Sequence, residues 1–148
     1  MIELNRIFSL VKKTRVFKTT DPTEHQIQSA FVTWCGYQEK KYPGLEWAFA
    51  VPNGGQRSIV TAVKLRSEGV RPGVPDWILP IPQSPYVCLA IEFKAKRGCL
   101  KPAQVAYLDA LKKAGWRTAV VRSCAEAIKI LKDYYAPHCA AIAAAMPE

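Results

Sequence analysis

Apolar positions along this 148-residue chain recur first at helical spacing, then at strand spacing, then alternate between the two. Ile27, Ala30, Phe31 and Trp34 fall on one side of a helix. Just ahead, Asp21 can cap, Pro22 suits the first helical position, and Glu24 stands where a capping box wants an acid. That helix is expected to end near Tyr42-Pro43-Gly44. Leu45 to Val51 reads as a strand and Pro52-Asn53-Gly54-Gly55 as a turn. Ile59, Ala62 and Val63 mark one face of a second helix that stops before Gly69. Val70 to Pro75 is a Pro/Gly-rich loop, and Asp76 to Leu79 a short strand stopped by Pro80.

Tyr86 to Lys94 is the clearest strand, an apolar run ending in charge. Pro102 opens a helix carrying Val105, Leu108 and Leu111, and Gly115 closes it. Trp116 to Val121 is a last strand. Ser123 and Glu126 form a capping box for a final helix through Tyr135, and an Ala-rich tail follows from Pro137. Helices and strands in this order predict an α/β domain with a central mixed sheet between layers of helices. Residues 1–22 form a basic segment that could act as a dimerisation arm, 23–136 the domain, and 137–148 a tail.

Composition narrows the function classes. A net charge of +9 points to a polyanionic partner, with nucleic acid ahead of an anionic membrane surface. No apolar stretch is long enough to span a bilayer, and no helix is of the lipid-facing amphipathic kind. The five cysteines are odd in number and scattered, without a Cys-x-x-Cys pair. That argues against a disulfide framework and a zinc ribbon, and for a reducing compartment. The opening residues do not read as a signal peptide, so a cytoplasmic location is expected.

The candidate chemistry lies at the ends of two strands. Glu92 and Lys94 are two apart in a strand and so share a face, together with the small Cys88 and Ala90. Val87, Leu89, Ile91 and Phe93 point to the opposite, core side. Asp76 starts the preceding strand straight after Gly-Val-Pro. If the two strands pair, two carboxylates come close and need a cation between them. Oxygen ligands with open positions suit Mg²⁺, and the Phe93 carbonyl is a further candidate ligand. Lys94 could then act on the attacking water and stabilise charge on a phosphate. The competing reading is a strand-end salt bridge, common for an isolated Glu-x-Lys.

Glu24 lies on the inward face of the first helix, seven residues before Phe31. It is either the acid of the capping box or a partner of the site. Gln104, near the start of its helix, either satisfies first-turn backbone groups or reaches Lys94, a water or a phosphate. Lys94, Lys96, Arg97 and Lys101 form an acid-free basic cluster suited to phosphates. Asn53, Gly54, Gly55 and Arg57 are a second candidate phosphate contact. His25 and His138 read as structural or surface residues.

Taken in order, Glu24, Asn53-Gly54-Gly55, the stretch Lys64 to Asp76 ending in Gly73-Val74-Pro75-Asp76, Glu92-Phe93-Lys94 and Gln104 resemble the VRR-NUC family of the PD-(D/E)XK nucleases. The resemblance runs from about Thr23 to Tyr134. It implies a restriction-endonuclease-like core and metal ligation by Asp76, Glu92 and the Phe93 carbonyl, with Glu24 in support. It also implies Lys94 as the catalytic lysine and Gln104 as an active-site residue. Mg²⁺ is the implied cofactor, with Mn²⁺ able to substitute, and no small-molecule cofactor is expected. Compact stand-alone members, typical of phages and bacteria, are associated with homodimers that cleave four-way (Holliday) junctions in DNA repair. The expected function is therefore a metal-dependent, structure-specific DNA endonuclease acting on branched DNA. A flap or nicking nuclease of the same fold, or a non-cutting DNA-binding module, is the alternative.

Overall fold

A computed structural model describes residues 21–52 and 59–145. The candidate contacts Asn53, Gly54, Gly55 and Arg57 lie outside the described residues, as does the basic segment up to residue 20. The described elements run α1 (Glu24–Gln38), a 3₁₀ turn (Leu45–Trp47), β1 (Phe49–Ala50), α2 (Ile59–Ser67) and β2 (Trp77–Leu79). They continue with β3 (Leu89–Phe93), α3 (Pro102–Lys113), β4 (Arg117–Val121) and α4 (Cys124–Ala145).

The four strands form one mixed sheet in the order β1-β2-β3-β4. The first two pairings are antiparallel, and β3 pairs with β4 in parallel through the α3 crossover. Trp77, Leu79, Leu89, Ile91 and Phe93 face one side. There they share a continuous apolar core with Ile27 and Phe31 of α1 and with Leu131, Tyr134 and Tyr135 of α4. The buried Tyr134 and Tyr135 place their hydroxyls on the Ile81 and Pro43 carbonyls, at 2.6 and 3.0 Å, so neither is left unsatisfied. α3 covers the other side, where its Leu108 is buried and β3 presents Ala90 and Glu92. Helices thus flank a mixed sheet on both faces, the expected α/β arrangement.

The cap of α1 differs from the sequence expectation. Thr23, not Asp21, is the N-cap: its hydroxyl accepts from the Gln26 backbone N–H at 3.2 Å, and Gln26 accepts from the Thr23 N–H at 2.9 Å. The helix therefore starts at Glu24, and the Glu24 carboxylate is released from capping. Thr23→Ala is expected to cost about 1 kcal/mol in urea unfolding, and Asp21→Ala close to nothing.

Other boundaries shift for local reasons. α1 ends at Gln38, and the buried Tyr42 and Leu45 are carried by turns rather than by a long strand. β3 starts at Leu89, because Tyr86 bridges back to Gln83 in a turn of its own. Val87 is therefore 48% exposed and not part of the core. Val63 and Val105 also face solvent, and Ala62 and Leu65 form the covered side of α2. α4 continues through Pro137 to Ala145, past the expected stop at Tyr135. Pro137 lies inside this helix, where it removes the N–H that would have bonded the Asp133 carbonyl and its ring crowds that carbonyl. Among the described residues no helix is long and apolar enough to cross a membrane.

Candidate active site

Continuing the β2–β3 register one step beyond Trp77↔Ile91 places Asp76 directly across from Glu92, on the sheet face away from the core. Asp76 is held from several sides. Its Oδ2 accepts from the Phe93 N–H at 2.9 Å. Its carbonyl accepts from the Val51 N–H at 2.8 Å and from Gln28 Nε2 at 3.4 Å. The loop that launches it rests on the first turn of α3. Gly73 has φ +86°, and a Cβ there would lie 2.4 Å from the Ala103 carbonyl oxygen. Only glycine allows both the left-handed backbone and this approach.

Glu92 is fully buried. Its Oε1 accepts from Lys94 Nζ at 2.6 Å and from Gln104 Nε2. Its Oε2 is buried with no hydrogen-bond partner. Lys94 is only 6% exposed, so its ammonium is committed to this cluster. Strand alternation brought Glu92 and Lys94 to one face, as the sequence expects. α3 adds Gln104, whose amide serves two ends: its oxygen takes the Lys101 N–H at 2.9 Å and its nitrogen holds Glu92. The Lys101 contact is the first-turn backbone role the sequence allows; the side chain's other end meets Glu92 rather than Lys94.

Glu24 reaches the site from α1. Its Oε1 accepts from the Ala95 N–H at 3.2 Å and lies 3.9 Å from Lys94 Nζ. Gly98 makes room, since a Cβ there would sit 3.0 Å from that oxygen. Of the basic cluster, Lys96 faces Asp21 at 3.4 Å, whereas Lys101 lines a groove beside Gln104 together with Arg66 and Arg71. Neither arginine stands out in the sequence as a site residue. Their signal, cations flanking the Gly69-Val70 turn, has no meaning until α3 is placed.

Three carboxylates thus surround one ammonium. Burial is the main cause pushing both Asp76 and Glu92 above the usual carboxylate range. The Phe93 N–H opposes it at Asp76, and Lys94 opposes it at Glu92. The Asp76 charge raises Glu92, and the Glu24 charge raises both, whereas a side-chain hydrogen bond with Glu92 lowers Asp76. An orphaned buried oxygen, facing a second acid whose charge is also disfavoured, suits a cation. Among the described residues no three His, Cys, Asp or Glu side chains converge closely enough to hold a metal by themselves. A hard cation here would rest on Asp76, Glu92, backbone oxygen and water. Glu24, engaged with the Ala95 N–H, stands behind them.

The raised carboxylates set a pH dependence. Between the ordinary carboxylate range and the raised values, the folded protein holds more protons than the unfolded chain, so stability falls as pH rises through that window. Metal-free protein is expected to show this fall in thermal melts run from about pH 4 to about pH 8. Added Mg²⁺ is expected to stabilise most at the upper end, and Glu92→Gln to flatten the profile. A profile rising through the same window would contradict the assignment.

The family model of the VRR-NUC domain matches residues 22–125 of this chain. No curated protein matches it. A solved structure described as a VRR-NUC domain protein is similar, with 26% sequence identity and a TM-score of 0.68. The likeness covers 80% of this chain and 92% of that one.

Proposed function

The chain belongs to the VRR-NUC domain family, a nuclease-type family, and from that premise we propose that it is a metal-dependent DNA endonuclease that cuts branched DNA. Four-way junctions cleaved by a homodimer are the favoured substrate. A two-fold dimer presents two sites to two symmetric strands, as a junction requires.

The observation that carries the proposal is the buried, unpartnered Glu92 Oε2 across from Asp76. A Mg²⁺ on Asp76, Glu92 and the Phe93 carbonyl, replaceable by Mn²⁺, would supply Lewis acidity to the phosphodiester and ease deprotonation of the attacking water. Lys94 Nζ neutralises Glu92 Oε1 and leaves Oε2 for the cation. The same ammonium stabilises negative charge as it builds on the phosphate oxygens. Gln104 locks the Glu92 carboxylate, and Glu24 orients Lys94 from the α1 side. The excess of basic residues supports DNA as the substrate.

The test is a panel of labelled four-way junction, flap and linear duplex, with Mg²⁺ or chelator, beside Asp76→Ala. The expected result is Mg²⁺-dependent cutting of the junction, lost in Asp76→Ala. No metal-dependent cutting of any substrate would leave a DNA-binding module. Equal cutting by Asp76→Ala would overturn the site. Cutting of flaps but not junctions would overturn only the junction preference.

A further inference from the structure

Beside the carboxylates the surface falls into a trough with largely apolar walls, whose cations gather toward one end. One part, of about 260 Å³, is lined by the cationic Arg66, Arg71 and Lys101, and by Gln104. The other, of about 230 Å³, is lined by Val51, Val70, Val74 and Tyr107 and is mainly apolar. Leu65, Val70, Arg71 and Val74 border both parts, so the two run together. Gln104 also holds Glu92, which places the cationic end one side chain from the carboxylates.

The cations there are not consumed by the fold. Among the described residues, Lys64, Lys94, Lys96 and Lys129 pair with acids, whereas Arg66, Arg71 and Lys101 have no acidic partner within ion-pair distance. Exposed positive charge beside an apolar slot bearing one aromatic ring matches a single nucleotide: an anionic phosphate joined to a flat, apolar-faced base. A duplex cannot offer its bases this way, because they are stacked and paired.

We propose that this trough is a subsite for one unpaired nucleotide of the DNA strand next to the cut. Arg66, Arg71 and Lys101 take its phosphate. The base lies along Tyr107 and the valines. The subsite rests on the nuclease reading, which puts the scissile phosphate at Asp76 and Glu92, and it sharpens that reading. Substrates with an unpaired nucleotide beside the cut, as at a branch point, gain a contact that a continuous duplex lacks.

The test reads binding without cutting. The full chain is titrated, in chelator, into a fluorescent single-stranded oligonucleotide and a matched duplex, and anisotropy is followed. The wild type is expected to prefer the single strand. Arg71→Ala and Lys101→Ala are each expected to weaken single-strand binding about tenfold at low salt and to make the log K against log[salt] slope shallower by about 0.7. Tyr107→Ala is expected to reduce the single-strand preference about tenfold, and Tyr107→Phe to keep it. Val70→Asp, on the exposed loop, tests the same apolar end without altering α3. Unchanged single-strand affinity in both Arg71→Ala and Val70→Asp would overturn the subsite. Mg²⁺-dependent cutting by the wild type is scored separately. Normal cutting with unchanged affinities removes the subsite alone, and absent cutting with weakened affinities removes the nuclease reading alone.

Discussion

Glu92→Gln is expected to slow DNA cleavage about a thousandfold or more, equivalent to about 4 kcal/mol of transition-state stabilisation. It is also expected to stabilise the metal-free protein by about 1 kcal/mol. The two effects have one cause. Lys94 Nζ and Gln104 Nε2 both bind Oε1, and an amide oxygen keeps them. The position of the unpartnered Oε2 becomes an N–H donor facing Asp76, which ends the orphaning and removes one of three carboxylates set around a single ammonium. A purely structural ion pair predicts the opposite pattern. Breaking a buried Glu–Lys pair would then destabilise the fold by about 3 kcal/mol and leave cutting intact. Thermal melts in chelator and single-turnover cleavage in Mg²⁺ separate the two.

Gly73→Ala is expected to have the largest effect on folding of any single methyl added outside the core. Two terms combine. The backbone at φ +86° disfavours any Cβ, by about 1–2 kcal/mol. The new carbon would also meet the Ala103 carbonyl oxygen at 2.4 Å, a backbone atom that cannot swing aside, and relief of that overlap adds about 1–3 kcal/mol. Gly69 supplies the control. It has φ +95°, but nothing lies within 4 Å of its missing Cβ, so Gly69→Ala carries the first term alone. The difference between the two variants in urea unfolding measures the seating of the loop on α3. Because that turn of α3 carries Gln104, Gly73→Ala is also expected to lower cleavage in the folded fraction, whereas Gly69→Ala spares it.

The placement of the candidate residues is legible where strand geometry decides it. A period of two forces Glu92 and Lys94 to one face whatever the partners. The placement of Asp76 needed the β2–β3 register, which no local pattern states. The first cap went to Thr23 because a hydroxyl one residue from the helix meets the Gln26 N–H, and sequence alone could not rank it above Asp21 two positions earlier. Single apolar residues were the weakest guide. Val63, Val87 and Val105 fit apolar spacings yet face solvent, because spacing alone does not state which side of a helix is covered or where a strand begins. The close approach of Gly73 to α3 is tertiary, and a glycine before Val-Pro-Asp announces only a turn.

Asp76 and Glu92 are proposed to hold a divalent cation together. Electron paramagnetic resonance of Mn²⁺ titrated into the protein tests this most directly, because it counts bound metal without requiring a substrate. The wild type is expected to bind Mn²⁺, and Asp76→Ala and Glu92→Gln to lose that binding while remaining folded. Mn²⁺ bound equally by all three proteins would contradict it.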